Sequence, residues 1–427
     1  MQLKRKRRKL RRTLLASSCA LLGTTPAAMA DPGDWTFDSG LLYYNETDRV
    51  RAIEPAFTAK RDFGDDTFLT SHYVVDTLTG ATPTGGMASS KGASTTGASG
   101  SVTSGAGQLP TAPFSDLRRA VTLTWSQPFA DVWHWDLGAD YSIERDFRSE
   151  GVNVLLARDF DRRNTTVSFG ASYEGDDVFP HGGVQDPLST VGGGGTAIAS
   201  DKSKTLEDAL VGLTQVINGA WIVELNYSYG YSHGYLNDPY KVVSVLNTHL
   251  GGIAPFFGFG PPIGDPLQDI YENRPGERRE KALFLLNKAY LGGSIVDFSW
   301  RYGWDDWGIR SHTYELRYRW PLGDASYLQP HLRYYRQTQA DFYQRALLDS
   351  DTVPTFVSAD YRLAAITGRT LGIEWGTEVQ SGHDLRLRFE RYVQGGKVDP
   401  RVLIGTQLGF DSFPELTAYI AQVSYSF

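Results

Sequence analysis

Five short polar runs of the sequence bring acidic and basic side chains close together, at 43–50, 71–83, 237–245, 271–280 and 358–365. Carboxylates and backbone carbonyls in loops are the ligands that Ca²⁺ prefers, because this hard cation takes about six to eight oxygens. The runs therefore raise the hypothesis of a calcium site, and the alternative is a set of salt bridges that cap the loops. The residues concerned are Glu46, Asp48, Arg49, Asp76, Asp238, Glu272, Arg274 and Asp360.

A second group of charged residues alternates with apolar residues along extended stretches of the chain. Trp133 and Trp135, for example, alternate with His134 and Asp136. A period of two is typical of a β-strand that has one apolar and one polar face. The polar face of such strands is predicted to carry Asp136, Asp140, Glu144, Glu174, Glu224, Asp297, Glu315, Glu374, Glu390, Arg301, Arg317, Arg319, Arg333, Arg386 and Arg388.

The acidic members of this second group come mainly from the earlier strands and the arginines from the later ones. If these strands enclose a lumen, its lining carries a transverse electric field that orients dipolar solutes. The alternative is a wall of mutually paired charges, which keeps the interior wet and rigid without selecting any solute.

Catalytic chemistry has little support in the residue pattern. The histidines are scattered, and neither an HExxH pair nor a CxxC is present. A CxxCH sequence is also absent, which excludes covalently attached haem. We therefore expect no nucleophile elbow, no catalytic residue and no enzyme activity, and no cofactor other than the calcium considered above.

The elements that must position these residues are strands. We predict them at 35–46, 50–60, 66–77, 116–127, 132–145, 149–159, 164–174, 206–218, 220–232, 279–290, 293–303, 309–320, 327–338, 366–378, 384–394 and 416–427.

The connections between these strands are arranged in a pattern. If both chain ends lie on the periplasmic side, the long connections all fall on the extracellular side, at 78–115, 175–205, 233–278, 339–365 and 395–415. Short periplasmic turns and long outer loops are typical of outer-membrane barrels. Because backbone polar groups cannot remain unpaired in lipid, the sheet must close. We predict an all-β fold, a closed antiparallel transmembrane β-barrel of about sixteen strands. The five polar runs lie at its extracellular strand ends, so the eight charged residues named above could converge on the outer mouth.

Two of the long connections have a distinctive composition. Connection 78–115 is rich in Gly, Ser and Thr and nearly uncharged, so we expect it to be flexible and to carry no site. Connection 233–278 contains the apolar stretch GGIAPFFGFGPPIG at 251–264. This stretch could fold into the lumen as a constriction, pack over the mouth, or contact lipopolysaccharide or a protein partner.

The amino terminus has the pattern of a Sec-type signal peptide at 1–30, with a basic start, a short apolar stretch and small residues before a cleavage site near Ala30. Residues 31–427 then form the barrel. Because the leader carries eight basic residues, its removal changes the formal net charge from −7 to −15. Such an acidic protein is not expected to bind nucleic acid.

The last strand ends on Phe427. It resembles the last strand of outer-membrane barrels, which carries the signal read by the barrel-assembly machinery. We therefore expect that machinery, outer-membrane lipid and lipopolysaccharide as partners. The polar runs resemble an uncharacterised barrel family, domain-of-unknown-function family three-five-seven-zero, over essentially the whole mature chain. Membership implies an exported barrel of unsettled activity and assigns no site residue.

These observations favour a Gram-negative outer-membrane barrel that acts as a porin-like channel or a selective transporter for small solutes. A different class of function is a non-conducting scaffold barrel that docks a periplasmic or surface partner. A barrel hydrolase is the third alternative.

Overall fold

A computed structural model describes residues 35–97, 100–192, 197–249, 261–397 and 399–427. The predicted signal peptide at 1–30 and residues 251–260 of the apolar stretch lie outside the described residues. The predicted cleavage and the predicted infolding of that stretch therefore stay predictions.

Sixteen strands form one closed antiparallel barrel, in which the first strand pairs with both the second and the last. The barrel strands are β1 Trp35–Glu46, β2 Val50–Gly64, β3 Thr67–Pro83, β6 Thr111–Ala130, β7 Trp133–Ile143, β8 Phe147–Phe160, β9 Thr165–Val178, β10 Lys202–Asn218, β11 Trp221–Gly234, β14 Glu277–Leu291, β15 Ser294–Asp305, β16 Arg310–Leu322, β17 Ser326–Gln337, β19 Ile366–Gln380, β20 His383–Gly396 and β21 Leu416–Ser426. The remaining described strands are β4 Ala93–Gly97, β5 Gly100–Ser104, β12 Val242–Leu246, β13 Pro266–Tyr271 and β18 Leu347–Leu348.

The predicted fold class is confirmed, and each predicted strand corresponds to one barrel strand. Several strands are longer than predicted: β3 continues to Pro83 and β6 begins at Thr111. The extra residues pair with each other, from Gly80 with Phe114 to Pro83 with Thr111. Strands that project beyond the membrane pair in water, so they need no apolar outer face, and hydrophobic alternation does not mark their ends.

Successive side chains of each barrel strand point alternately to the outside of the barrel and to its inside. Large apolar side chains such as Leu41, Tyr227 and Leu371 are exposed on the outside. Lipid covers this outer surface in an outer-membrane barrel, where exposed apolar side chains are stabilising. The alternate positions are largely polar or small and face the lumen.

The two ends of the barrel differ in their connections. One end, the short-turn end, has tight turns such as Asp65–Asp66 and Gly292–Gly293, whose positive φ angles suit two-residue hairpins. The other end, the long-loop end, has eight connections, at 47–49, 84–110, 144–146, 179–201, 235–276, 306–309, 338–365 and 397–415. The five long connections thus lie at one end, as predicted. In outer-membrane barrels this is the extracellular end.

The described parts of these five long connections pack together into a folded body, which we call the cap. Its centre is a three-stranded sheet in the order β13, β12, β18. Strand β12 is buried along its whole length, and Val243 packs with Ile270, Leu347 and Val357. Burial of apolar side chains from different connections stabilises the cap as one unit.

The flexible connection expected at 78–115 is instead part of this cap. Met87 is 1% exposed and packs against Leu246, Ala346 and Val402. The difference has a physical reason, because glycine brings the backbone close to its neighbours: a Cβ at Gly85 would lie 2.4 Å from the Val242 carbonyl oxygen. A low-complexity composition therefore concealed a segment whose small residues permit tight packing.

Helical structure among the described residues is limited to short 3-10 turns, at Asp161–Arg163, Tyr361–Leu363, Pro400–Val402 and Gly405–Gly409. None of the helices in this part of the chain has the length and apolar character needed to cross a bilayer.

Candidate functional site

One side of the lumen is lined with carboxylates, and we call it the acidic wall. It comprises the inward positions of β7 to β11, which alternate with exposed apolar residues such as Leu137 and Leu225. The only Lys or Arg side chains at inward positions of these five strands are Lys202 and Lys204. The acidic wall contains Asp136, Asp140, Asp159, Glu174, Asp176, Asp208 and Glu224.

Four carboxylates of the acidic wall are buried, at Asp136, Asp159, Asp176 and Glu224. Asp136 is 3% exposed and Glu224 is 4% exposed. Glu224 accepts a hydrogen bond from Asn226 Nδ2 at 2.7 Å, and one carboxylate oxygen of Asp136 and one of Glu224 lack a hydrogen-bond partner among the described residues. Oxygens without a protein donor leave negative potential available to a solute.

A cavity of about 190 Å³ lies against the acidic wall near the long-loop end. Asp140, Glu144 and Glu174 line it together with Arg118 and Ser149. Glu144 belongs to connection 144–146, just beyond β7. Burial and the neighbouring Asp116 carboxylate raise the pKa of Glu144 to about 7. This part of the lining therefore changes charge near neutral pH.

The basic wall lies on the barrel strands β15, β16, β17, β19 and β20. Its inward arginines are Arg301, Arg317, Arg319, Arg333, Arg386 and Arg388. The central strands of the two walls, β9 and β17, are six strands apart in one direction around the barrel and ten in the other. The walls thus face each other obliquely across the lumen.

Carboxylates on the same strands neutralise much of the basic wall. Arg317 lies 2.5 Å from Glu315. His331 lies between Glu315, at 3.2 Å, and Glu390, at 2.9 Å. The other predicted acid, Asp297 on β15, lies 3.2 Å from Lys288. The paired-charge alternative thus describes the basic wall, whereas the acidic wall keeps an excess of carboxylates.

Four of the eight residues proposed for the mouth come together inside the cap. Arg274 lies 2.7 Å from Glu272 and 2.7 Å from Asp360. The carboxylate of Glu272 accepts a 2.6 Å hydrogen bond from the backbone N–H of Asp238. Glu272 and Asp360 are 2% and 1% exposed. We call this group, with Arg362, the cap ion cluster.

Sequence reasoning missed Arg362 as a member. Its guanidinium contacts Asp360 and reaches Asp238 at 2.5 Å. A local sequence pattern could have indicated that Arg362 lies beside Asp360. Asp360 caps the 3-10 turn Tyr361–Leu363 by accepting a hydrogen bond from the Arg362 backbone N–H at 3.0 Å. An acid followed two residues later by Arg is a signal for such a capped turn.

Charge pairing and burial act in opposite directions on the two buried carboxylates of this cluster. Although burial opposes its ionisation, Arg362 and Arg274 hold the pKa of Asp360 well below its ordinary value. Burial raises the pKa of Glu272, although Arg274 acts in the opposite direction. The cluster therefore depends most on the charge of Asp360.

The other four mouth residues lie elsewhere. Glu46 accepts a hydrogen bond from Tyr44 at 2.7 Å, and Asp48 has a positive φ in the turn after β1. Arg49 donates to the Pro414 carbonyl at 3.3 Å. Asp76 lies on β3, where Arg118 donates to it at 3.2 Å. The structure thus brings four of the eight residues into one cluster and gives three of the others, Glu46, Arg49 and Asp76, contacts outside it.

These contacts bear on the calcium hypothesis. In the cap ion cluster, guanidinium groups occupy carboxylate oxygens that a cation would need. Among the described residues, one trio of carboxylates has a suitable spacing, since Asp116, Glu144 and Asp146 offer oxygens within 4.8 Å of one another. Arg118 lies 3.8 Å from Glu144, and Tyr240 donates to Asp146. This trio is thus already partly satisfied by protein groups.

A GxSxG match at 230–234 also escaped the sequence reasoning. Nucleophile elbows place this serine on a sharp turn between a strand and a helix. Here the match lies within β11, where Ser232 pairs with Leu206 and Arg278 on the neighbouring strands. Ser232 and His233 point to opposite faces of the sheet. The match therefore has neither the elbow geometry nor a Ser–His pair.

Several solved structures are similar to this chain, at low sequence identity. A mutant of the ferric enterobactin receptor PfeA from Pseudomonas aeruginosa is 14% identical, with a TM-score of 0.42, covering 88% of this chain and 55% of the receptor. The CymD monoaromatic hydrocarbon channel is 8% identical, with a TM-score of 0.40, covering 93% and 88%. CdiB from Acinetobacter baumannii is 8% identical, with a TM-score of 0.44, covering 92% and 60%.

The chain thus spans about half the length of the receptor. Likenesses at these scores carry no inference about function. A search of curated proteins finds no match. The model of a protein family described as "Protein of unknown function (DUF3570)" matches residues 11–427. Since this match covers nearly the whole sequence, the chain belongs to the DUF3570 family, and it forms a closed β-barrel of sixteen strands.

Proposed function

We propose that this barrel is a channel of the outer membrane for small solutes that carry a positive charge, and that the cap regulates entry from the extracellular side. The acidic wall is the observation that carries the proposal. Its carboxylates greatly outnumber the lysines on the same strands, whereas the basic wall is largely neutralised by its own acids.

The dimensions and charge of the barrel support this function. A closed barrel of sixteen strands is wide enough to enclose an aqueous channel. Carboxylates along a narrow passage with low-dielectric walls concentrate cations and repel anions. The arginines across the lumen would orient a solute that has both charges, with its cationic group towards β7 to β11.

The cap supports regulated rather than free passage. Its segments come from five connections, and it contains buried polar links between them. Gln407, which is 0% exposed, donates from Nε2 to the Ala88 carbonyl at 2.7 Å and to the Gly264 carbonyl at 2.9 Å. Such links hold the connections together, so entry would require the cap to rearrange.

Single-channel recording in planar bilayers tests the proposal. We expect cation-selective conductance, and the triple variant D136N/D140N/E224Q should lower the ratio of K⁺ to Cl⁻ permeability several-fold because it removes carboxylates from the acidic wall. The matched control D131N/D161N/E207Q removes the same charge from two short turns and from an outward position of β10. The proposal would be contradicted if both variants had the same ion selectivity. It would also be contradicted if the folded barrel did not conduct even after the cap had been disrupted.

A scaffold function is the second candidate, and the folded cap is the observation that favours it. A packed body at the extracellular end offers a defined surface to a partner. The same recordings distinguish the two functions. When the cap is loosened, a scaffold barrel should show no conductance, whereas a capped channel should open and conduct.

A further inference from the structure

Four arginines form a diagonal row on the outside of the barrel. Arg310 lies on β16 two residues from His312, which pairs with Arg336 of β17. Arg336 pairs with Thr367, two residues from Arg369 of β19. Arg369 pairs with Val393, two residues from Arg391 of β20. We call Arg310, Arg336, Arg369 and Arg391 the arginine row.

The four side chains point to the outer face and are exposed. Each step of the row joins diagonal neighbours of one sheet face, whose Cα atoms are about 7–8 Å apart. Adjacent guanidinium groups can therefore contact a single anionic group or two linked ones.

No acidic residue occupies a barrel-strand position next to the arginine row on its face of the sheet, and Asp306 in the adjoining connection 306–309 pairs with Arg279. The neighbouring outward positions are Trp304, His312, Tyr314, Tyr334, Thr367, Leu371, Phe389, Val393 and Tyr419. Two other outward arginines differ in this respect: Arg279 lies 2.7 Å from Glu277, and Arg148 lies 2.5 Å from Asp177. In a protein whose formal net charge is −7, an unneutralised cationic row indicates an anionic ligand.

The height of the row indicates where that ligand lies. Arg336 is ten residues along β17 from Ser326 at the short-turn end, a rise of roughly 25 Å for a strand tilted by about 40°. The apolar band of an outer-membrane barrel is about 25 Å tall. Exposed apolar side chains such as Leu371 and Phe389 lie directly below the row. The arginines thus border the apolar band at its extracellular edge.

We propose that the arginine row binds the phosphate groups of a phosphorylated glycolipid of the outer leaflet, the lipid A part of lipopolysaccharide. Arginine forms paired hydrogen bonds with phosphate, and a row of guanidinium groups suits a lipid that carries two phosphates. The acyl chains would lie on the apolar band below. This inference is independent of the proposed channel function, since lipid binding is measured without conductance.

Native mass spectrometry of the purified barrel in detergent tests this site, with diphosphoryl lipid A as the probe. We expect the variant R336Q/R369Q to bind diphosphoryl lipid A at least about tenfold more weakly than the wild type. The control R61Q/R158Q removes the same charge from the short-turn end, where these arginines lie over Trp35, Phe63, Trp133 and Phe160 rings, and it should bind normally.

Monophosphoryl lipid A, phosphatidylglycerol and inorganic phosphate serve as comparison probes. We expect weaker binding of each, because each offers fewer linked phosphates or no acyl chains. The assignment would be overturned if both variants lost lipid A binding equally or if neither lost it. It would also be overturned if phosphatidylglycerol or inorganic phosphate bound as tightly as lipid A. Heat-modifiable mobility on gels reports folding, and if the double variant does not fold, R369Q alone gives the same comparison.

Discussion

Arg345 Nη1 donates a hydrogen bond of 2.5 Å to the carbonyl oxygen of Gly85, 260 residues earlier in the chain. The same guanidinium donates to Gly86 at 3.1 Å and to Ser412 at 2.9 Å. One buried side chain thus joins the connections 84–110, 338–365 and 397–415. Burial lowers the pKa of Arg345, but its ordinary value is high enough for the group to remain charged.

Replacement of Arg345 by methionine should loosen the cap. The variant keeps a long side chain but leaves three buried carbonyls without donors, which costs on the order of 3 kcal/mol or more. We expect faster proteolysis within the long connections and more frequent channel opening, with little change in the melting temperature of the barrel. The control R401M removes an exposed arginine of connection 397–415, which pairs with Asp399. Unchanged proteolysis in R345M would show that this arginine does not hold the cap together.

Replacement of Asp360 by asparagine should have a comparable effect through the cap ion cluster. It leaves the buried Arg274 with one carboxylate fewer, and loss of one partner of a buried pair costs about 3–5 kcal/mol. Hydrogen exchange of the cap, measured beside the control D399N at the partly exposed Asp399, checks this expectation. Equal protection in both variants would contradict it.

Acid should weaken the same cluster. The pKa of Asp360 lies below its ordinary 3.8 in the folded protein, so its stabilisation is present above that value and is lost as the pH falls towards the folded pKa. Glu272, with a raised pKa, acts in the opposite sense. We expect cap exchange to accelerate below about pH 4 in the wild type. D360N should show a flatter pH dependence, and identical profiles would exclude Asp360 as the source.

Glu144 should make ion selectivity depend on pH near neutrality. Burial and Asp116 raise its pKa to about 7, so it is largely neutral at lower pH and ionised at higher pH. The charged groups that face Glu144 are Asp116, Arg118 and Asp146. The K⁺ to Cl⁻ permeability ratio should therefore rise through pH 7 in the wild type and rise less steeply in E144Q. An equally steep rise in E144Q would assign the effect to another group.

Gly85 should tolerate no side chain. Its φ is +99°, and a Cβ would lie 2.4 Å from the Val242 carbonyl oxygen. G85A should therefore displace the segment that carries Met87 and destabilise the cap, whereas G409A, where a Cβ meets nothing within 4 Å, should not. Limited proteolysis compares the two variants. Resistance of G85A equal to that of G409A would mean that connection 84–110 can move without disturbing the cap.

The sequence predicted the barrel well because its strands obey one local rule. Alternation places Leu137 and Leu225 outside and Asp136 and Glu224 inside, whatever their neighbours are, so the strands and the parity of the loops could be read directly. The ends of the strands were less accurate. Strand β3 continues to Pro83 because its pairing extends into water, where no apolar face is required.

The cap could not be predicted in this way. Met87, Arg345 and Gln407 lie in stretches without periodicity, and their contacts join residues that are distant in the chain. The four mouth residues that do meet were visible as charged runs, but their partner Arg362 depends on how two connections fold against each other. Local patterns carry no information about such contacts.

The pairing of β1 with β21 gives the barrel a late and cooperative closure. Ser426 donates to Asp38 at 2.7 Å across 388 residues, so the seam forms only when the final strand is available. Until then, both edge strands expose unpaired backbone groups that would attract other strands. Loss of the last dozen residues would therefore leave an open sheet with two unpaired edge strands that are prone to aggregation, and not a slightly smaller barrel.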